Sequence, residues 1–304
     1  MDTVTHGLLG WALAETGPAR KWGRAATLTM VAASVFPDAD SVLALAGSAT
    51  YLLHHRGMTH SLPGLVPTAL AVALPAWWLC GRKLFWPLFG LAAAAIGAHI
   101  FLDSLNSWGV MLLYPFSFRR VQLDWVFILD PVFTACVLLG AVLARWRRSP
   151  QVARVGLALL ALHIAFCGAM HAAAVRRVDA IARVRGWTVR SRAAMPMPPL
   201  PTRWSGIVVT PEGTRQIWFD LFSGTLDDRF WPGGPSSAEW ERVPATRDGR
   251  VFLWFARFPV ARRSGEALIL SDARFHLPAG WPQRHPFDLV VDGKGPRFAS
   301  ADDR

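Results

Sequence analysis

Apolar positions fall into long unbroken runs over the first 175 residues and into short runs bounded by turn signals after residue 203. Four of the long runs, Leu62–Cys80, Leu84–Leu105, Val126–Ala144 and Val152–Val175, each approach the roughly 20 residues a helix needs to cross a bilayer. Two shorter apolar runs, Val4–Ala14 and Ala25–Phe36, flank the basic turn Pro18-Ala19-Arg20-Lys21-Trp22-Gly23-Arg24 and predict a short helical hairpin. No positive charge precedes the first run, so it reads as a retained segment and not as a cleaved signal.

Past the proline-rich stretch Met195–Pro201, the runs Trp204–Val209, Gln216–Phe222, Val251–Phe258, Ala267–Leu270 and Phe287–Val291 read as strands. Pro211-Glu212-Gly213, Asp248-Gly249 and Asp292-Gly293 supply turns between them, the punctuation of antiparallel β structure. The predicted organisation is an α-helical membrane domain over residues 1–175, with four long spans and an N-terminal short helical hairpin. An Arg/Pro-rich linker over 176–202 and a small antiparallel all-β soluble domain over 203–304 follow.

Charge supports the division. Residues 1–175 carry 12 Lys/Arg and 7 Asp/Glu, and the remainder carries 20 and 14. Only the second part therefore approaches the roughly 25% charged residues of soluble domains. The net charge of +11 divides almost evenly between the halves, and no nucleic-acid motif accompanies it, so no nucleic-acid partner is expected. Cys80, Cys136 and Cys167 all sit in apolar stretches and read as small buried hydrophobes.

The basic residues also orient the spans. Arg20, Lys21 and Arg24, then Arg82 and Lys83, then Arg145, Arg147, Arg148 and Arg154 mark three loops that the positive-inside rule assigns to the cytoplasm. Residues 37–61 and 106–125, and the chain after Val175, then fall on the non-cytoplasmic face. The arginines from Arg176 to Arg192 run against this assignment, and contact with anionic lipid would reconcile them.

Ionisable residues within or beside membrane helices are costly and tend to serve function. Here they collect in short motifs: His6, Asp38 and Asp40, the run His54-His55-Arg56-Gly57-Met58-Thr59-His60-Ser61, His99 and Asp103, then Asp124 and Asp130. The hairpin returns Asp38 and Asp40 to the level of His6, and His99 and Asp103 project from one helix side at i, i+4. All of the candidates converge on one membrane face. The predicted metal ligands are His6, Asp38, Asp40, His55, His60, His99 and Asp103. His54 and His55 point apart as neighbours, and His55 is the favoured one. This mixture of imidazole and carboxylate suits zinc, or else manganese, as one or two ions. Arg56, Asp40 and Asp130 are the candidate catalytic groups, the arginine for anionic charge and either carboxylate as base. Ser61 reads as a helix N-cap, while His163 and His171, on one face of the last span, read as packing residues. His276 and His285 lie in the β half without a clustered ligand set.

Taken together, Met1-Asp2-Thr3-Val4-Thr5-His6-Gly7, Pro37-Asp38-Ala39-Asp40, His55–Ser61 and His99-Ile100-Phe101-Leu102-Asp103 resemble the YdjM family of bacterial inner-membrane metal-dependent hydrolases. The β half is similar to the tail of its longer members. A more distant similarity, carried by the His-x-x-x-Asp pair, links the chain to zinc-dependent phospholipase C and P1-type nucleases, although no His-x-x-x-Glu follows. The resemblance implies a membrane-bound hydrolase acting on a phosphoester such as a phospholipid or another lipid-linked phosphate, with metal-activated water. Two other readings are a membrane protein that binds or transports metal without hydrolysis, and a scaffold with a structural metal. Oligomeric state is not legible.

Overall fold

The computed structural model describes residues 1–233, 238–280, 287–293 and 295–299. His285 lies outside the described residues. The chain forms two compact units, one comprising Met1–Val42 and His54–Ala169, the other Leu43–Leu53 and Met170–Arg304.

In the first unit, α1 (Thr3–Glu15) and α2 (Pro18–Val35) are the arms of the hairpin, and α2 runs on into a 3-10 segment at Phe36–Ala46. All but the last residue of α3 (Ser48–His54) lies in the Leu43–Leu53 stretch of the second unit, and the first unit resumes with a 3-10 turn at Met58–His60, α4 (Leu62–Leu79), α5 (Phe85–Ser104) and α6 (Pro131–Arg147). The long α7 (Pro150–Val184) begins in this unit and ends in the second. Ser61 caps α4 by accepting from the Gly64 N–H, as the sequence predicts.

Among the described residues, four stretches are long and apolar enough to cross a membrane: Pro18–Ala46, Leu62–Leu79, Phe85–Ser104 and Pro150–Val184. The second arm of the hairpin is thus longer than its apolar run suggests, because the basic turn is itself helical apart from Gly23. In contrast, α6 starts at Pro131 rather than Val126, since Asp130 caps it and Pro131 occupies its first turn, where a proline is favoured. Large apolar side chains such as Trp78, Trp86, Leu139, Leu159 and Leu162 stay exposed on these helices, a surface suited to lipid and too extensive for water.

Packing sets the level of the helices. α1 lies against α2 and α6, and α5 lies against α2 and α4. At Gly10 the crossing is so close that a Cβ would stand 2.5 Å from the Met30 carbonyl oxygen. Only glycine admits that approach, which brings the first turns of α1 beside the end of α2.

The second unit contains two four-stranded antiparallel sheets of sequential order. The first comprises β1 (Ser191–Pro196), β2 (Arg203–Thr210), β3 (Gly213–Asp220) and β4 (Gly224–Pro232). The helices α8 (Ala238–Arg242) and α9 (Arg247–Phe255) precede the second sheet of β5 (Pro259–Ser264), β6 (Ala267–Asp272), β7 (Leu289–Val291) and β8 (Arg297–Phe298). The end of α7 packs its Ala174 and Val178 with Trp204, Ile217 and Phe219.

Two expectations are corrected here. The run Val251–Phe258 is mostly helix, not strand: Thr246 caps α9 through Gly249, and Val251, Phe252 and Phe255 form its buried face, a helical spacing that a hydrophobic count alone does not separate from strand. The stretch read as linker holds the last turns of α7 and all of β1, so Arg176, Arg177 and Arg183 stand on the helix and Arg192 on the strand.

Candidate metal centre

Four side chains from three parts of the first unit meet in one place. Asp38 comes from the 3-10 segment after α2, His60 from the turn before α4, and His99 and Asp103 from the last two turns of α5. One ligand atom from each lies within 4.8 Å of the others. His60, His99 and Asp103 are fully buried, and the Asp38 side chain is 12% exposed.

The distances have the form of a coordination shell. His60 Nε2 stands 3.0 Å from His99 Nε2. Asp38 Oδ1 is 3.7 Å from each of these nitrogens, and Asp103 Oδ2 is 3.4 Å from His60 and 3.7 Å from His99. Two nitrogen or oxygen ligands on a tetrahedral zinc ion, each with a bond of about 2.0–2.2 Å, stand about 3.4 Å apart. The observed edges bracket that value.

The rings are held so that lone pairs face inward. His99 Nδ1 lies 2.7 Å from the Ser34 carbonyl oxygen, which can only accept, so Nδ1 carries the proton and Nε2 is left for the site. Proline has no N–H, so Pro37 offers no donor to the carbonyl three residues before it, that of Ser34. At His60, Nδ1 is 2.9 Å from Thr59 Oγ1, and that hydroxyl donates to Asp40 Oδ2 at 2.7 Å. Oγ1 therefore accepts from Nδ1–H, and Nε2 again points inward.

The surrounding residues hold these groups. Asp40 accepts from His55 Nδ1 at 2.6 Å and from the Arg56 N–H at 3.0 Å, in addition to Thr59. It thus ties three neighbours together and orients His60. Arg56 has a left-handed backbone with φ 61°, a sparsely populated conformation of the kind that collects at functional sites. Its Nη2 lies 2.9 Å from Asp103 Oδ2, and its Nη1 donates to Asn106 Oδ1 at 3.2 Å. His6 stacks on His99 with ring centroids 3.7 Å apart, and its Nε2 is 3.3 Å from Asp103 Oδ1. Its Nδ1 is buried without a hydrogen-bond partner. The Met1 amino group also lies against Asp103.

Burial opposes a charge on His60, but the hydrogen bonds with Asp103, Asp38 and Asp40 outweigh it and push the imidazole up to about 9. A proton on His60 thus partly satisfies the carboxylates when no cation does. Burial moves His55 the other way, downward, against its bond to Asp40.

The structure therefore brings together Asp38, His60, His99 and Asp103, with His6, Asp40, His55 and Arg56 against them. His54 is exposed and meets Tyr114. Asp130 is engaged elsewhere, capping α6 and pairing with His163 at 2.9 Å. Sequence reasoning passed over Asn106, Thr59 and the Ser34 carbonyl. Thr59 and Asn106 adjoin the motifs and could have been flagged as polar neighbours, whereas a backbone carbonyl leaves no residue signal.

Polytopic helices that enclose a buried His/Asp donor set define a membrane protein with a site able to hold a metal ion. The chain belongs to the YdjM family: the family model described as YdjM inner membrane protein matches residues 1–174. It is also similar to the uncharacterized protein YfhP of Bacillus subtilis (strain 168), 29% identical over 175 residues, 55% of this chain and 52% of that protein. The chain thus matches about half the length of this relative. No solved structure matches significantly.

Proposed function

We propose that this protein is a membrane-bound metal-dependent hydrolase of a phosphoester, such as a phospholipid or another lipid-linked phosphate. The observation that carries the reading is the convergent set of Asp38, His60, His99 and Asp103 with the Arg56 guanidinium against it. Zinc fits the donor chemistry best, with manganese second. A second ion would draw on His6 and on Asp103 Oδ1, in place of the Met1 amino group that now lies against that oxygen. When bound, such an ion supplies water acidic enough to give hydroxide near neutral pH.

The chain's own residues do the rest. Asp38, the most accessible of the four, stands where a substrate would arrive. Arg56 is the group placed to take negative charge on a phosphoryl oxygen, as guanidinium does through paired N–H donors. Asp40 keeps the His60 Nδ1 proton in place and so fixes the direction of Nε2. A substrate embedded in the bilayer suits a site at the end of α5, among helices with apolar outer faces. On the loop charges the site is assigned to the non-cytoplasmic face. A cysteine at Arg119 should then react with an impermeant thiol reagent in intact cells, and protection there would reverse the orientation.

One observation favours a second reading. Four protein ligands close a tetrahedron, which is the form of structural zinc sites, while catalytic sites keep a position open. The two readings separate on purified full chain in detergent, assayed against phosphatidic acid and other lipid phosphoesters. Hydrolysis that disappears with chelation and in His60→Ala, and that Arg56→Gln loses while keeping its metal, supports the hydrolase. Hydrolysis retained by His60→Ala, or a metal whose removal only lowers the unfolding temperature of a protein without hydrolytic activity, overturns it.

A further inference from the structure

A second donor cluster lies in the first unit and shares no residue with the centre above. We infer that Asp130, His163 and Cys167 form an independent metal site that takes one zinc-class divalent ion. One ligand atom from each of the three falls within 4.8 Å of the others. Cys167 is buried, and the His163 and Asp130 side chains are 9% and 12% exposed.

Local structure aims all three. As the N-cap of α6, Asp130 accepts the Phe133 N–H on Oδ1 at 2.9 Å. This capping bond leaves Oδ2 turned toward α7. His163 and Cys167 are four residues apart on α7, so they share a helix face. The two helices cross closely where Gly140 meets Gly156, with a Cβ on Gly156 only 2.8 Å from the Gly140 Cα. Small residues permit such approaches between membrane helices.

The contacts also fit a cation held among the three side chains. Asp130 Oδ2 is 2.9 Å from His163 Nε2, and Cys167 Sγ is 3.6 Å from that same nitrogen. The carboxylate requires the nitrogen to donate, which leaves the Cys167 sulfur only a weak acceptor's share of the same N–H. An Asp–His–Cys proton relay would use the two ring nitrogens separately, so the geometry argues against a nucleophilic triad. With Zn–N of about 2.0–2.1 Å and Zn–S of about 2.3 Å, a tetrahedral ion puts nitrogen and sulfur about 3.6 Å apart, the distance observed. The nitrogen–oxygen edge must open by about 0.5 Å to reach its tetrahedral value of about 3.4 Å, a small rotation of the ring.

Mixed nitrogen, oxygen and thiolate ligands select a borderline-soft ion and disfavour calcium or magnesium, which take oxygen. Binding replaces the thiol proton, since thiolate is the ligand. Three protein ligands leave a fourth position for water or an external ligand.

Cobalt(II) distinguishes the two sites because only this one contains sulfur. Full chain in detergent, loaded with Co²⁺, should show a near-ultraviolet thiolate-to-cobalt charge-transfer band. The band should vanish in Cys167→Ser, persist in Cys80→Ser and Cys136→Ser, and persist in Asp103→Asn, which disturbs the other centre. Zinc content should fall by one equivalent in Cys167→Ser and in His163→Ala, with helical circular dichroism unchanged. A folded protein that shows no band at saturating Co²⁺, or a band that survives in Cys167→Ser, overturns the inference.

Discussion

Both units bury polar side chains, and they treat them in opposite ways. In the β unit, the fully buried Gln216 donates from Nε2 to Ser205 Oγ at 2.7 Å, the Ala273 carbonyl at 3.0 Å and the His276 carbonyl at 3.3 Å. Ser271 Oγ meets His276 Nε2 at 2.8 Å, and Arg274 pairs with Asp272 at 2.8 Å. The buried donors here meet acceptors, the usual condition for burying polar atoms, although Gln216 Oε1 is itself buried without a hydrogen-bond partner. In the helical unit, second-site hydrogen bonds turn the rings so that two imidazole nitrogens and two carboxylate oxygens face one another. Acceptors facing acceptors in a buried site are costly, and a cation resolves the cost. The difference teaches that the first network is closed mainly by donors meeting acceptors, whereas the second is a donor set suited to a cation.

The comparison is broken most severely at Asp103. Asp103→Ala removes a ligand and leaves the Arg56 guanidinium buried without its carboxylate, so bound metal should be lost and stability should fall by about 3–5 kcal/mol. Mass-spectrometric metal content and thermal unfolding read both effects, and a variant that keeps its metal would contradict the assignment. Asp40→Asn keeps every ligand but weakens the support of His60, so metal affinity should drop about 10- to 100-fold in titrations against a competing chelator.

A third test follows from the proton on His60. Its imidazole is pushed up to about 9, so below that pH a metal must displace the proton, and affinity should fall by about tenfold per pH unit. For chelated protein the sign is opposite. The raised value stabilises the fold fully below about 6.5, the unfolded value, and that contribution is lost as pH climbs through 9. Unfolding temperatures of chelated protein should therefore decline from pH 6.5 to 9 while metal affinity rises. The smallest effect on metal belongs to Gln216→Leu in the β unit: metal content should not change, while stability should fall by about 1–3 kcal/mol as Ser205 and the two carbonyls lose their donor.

Much of this site could be read from the sequence because membrane helices make polar residues conspicuous. His99 and Asp103 stand in an otherwise apolar run with a helical spacing, and Asp38 and His60 sit where runs end. What escaped was of two kinds. The donors that turn the rings are a backbone carbonyl at Ser34 and the neighbours Thr59 and Asn106, ordinary polar residues in sequence. The Asp130–His163–Cys167 cluster joins residues 33 positions apart, and only the crossing of α6 and α7 reveals it. His163 accordingly reads as packing until Asp130 is seen beside it, whereas His171, its ring tilted against Trp204, keeps a packing role.

The fold shows the same division. Helix runs in the first unit follow directly from hydropathy, and their ends are set by caps such as Asp130 and Ser61. In the second unit, Trp204–Val209 and Ala267–Leu270 are strands as the pattern predicts. β1 and β4 escaped because their residues carry Arg, Asp and Pro on exposed positions, and β4 is mostly open along its length. α9 escaped because its capping threonine was hidden beside an Asp-Gly turn signal.

The most direct test of the central claim is the metal content of detergent-purified full chain carrying Cys167→Ser, which silences the sulfur-containing site, measured with and without His60→Ala. The arrangement of Asp38, His60, His99 and Asp103 predicts one equivalent of zinc or manganese in the first protein and none in the second. No bound metal after reconstitution, or the same metal in both, would contradict it.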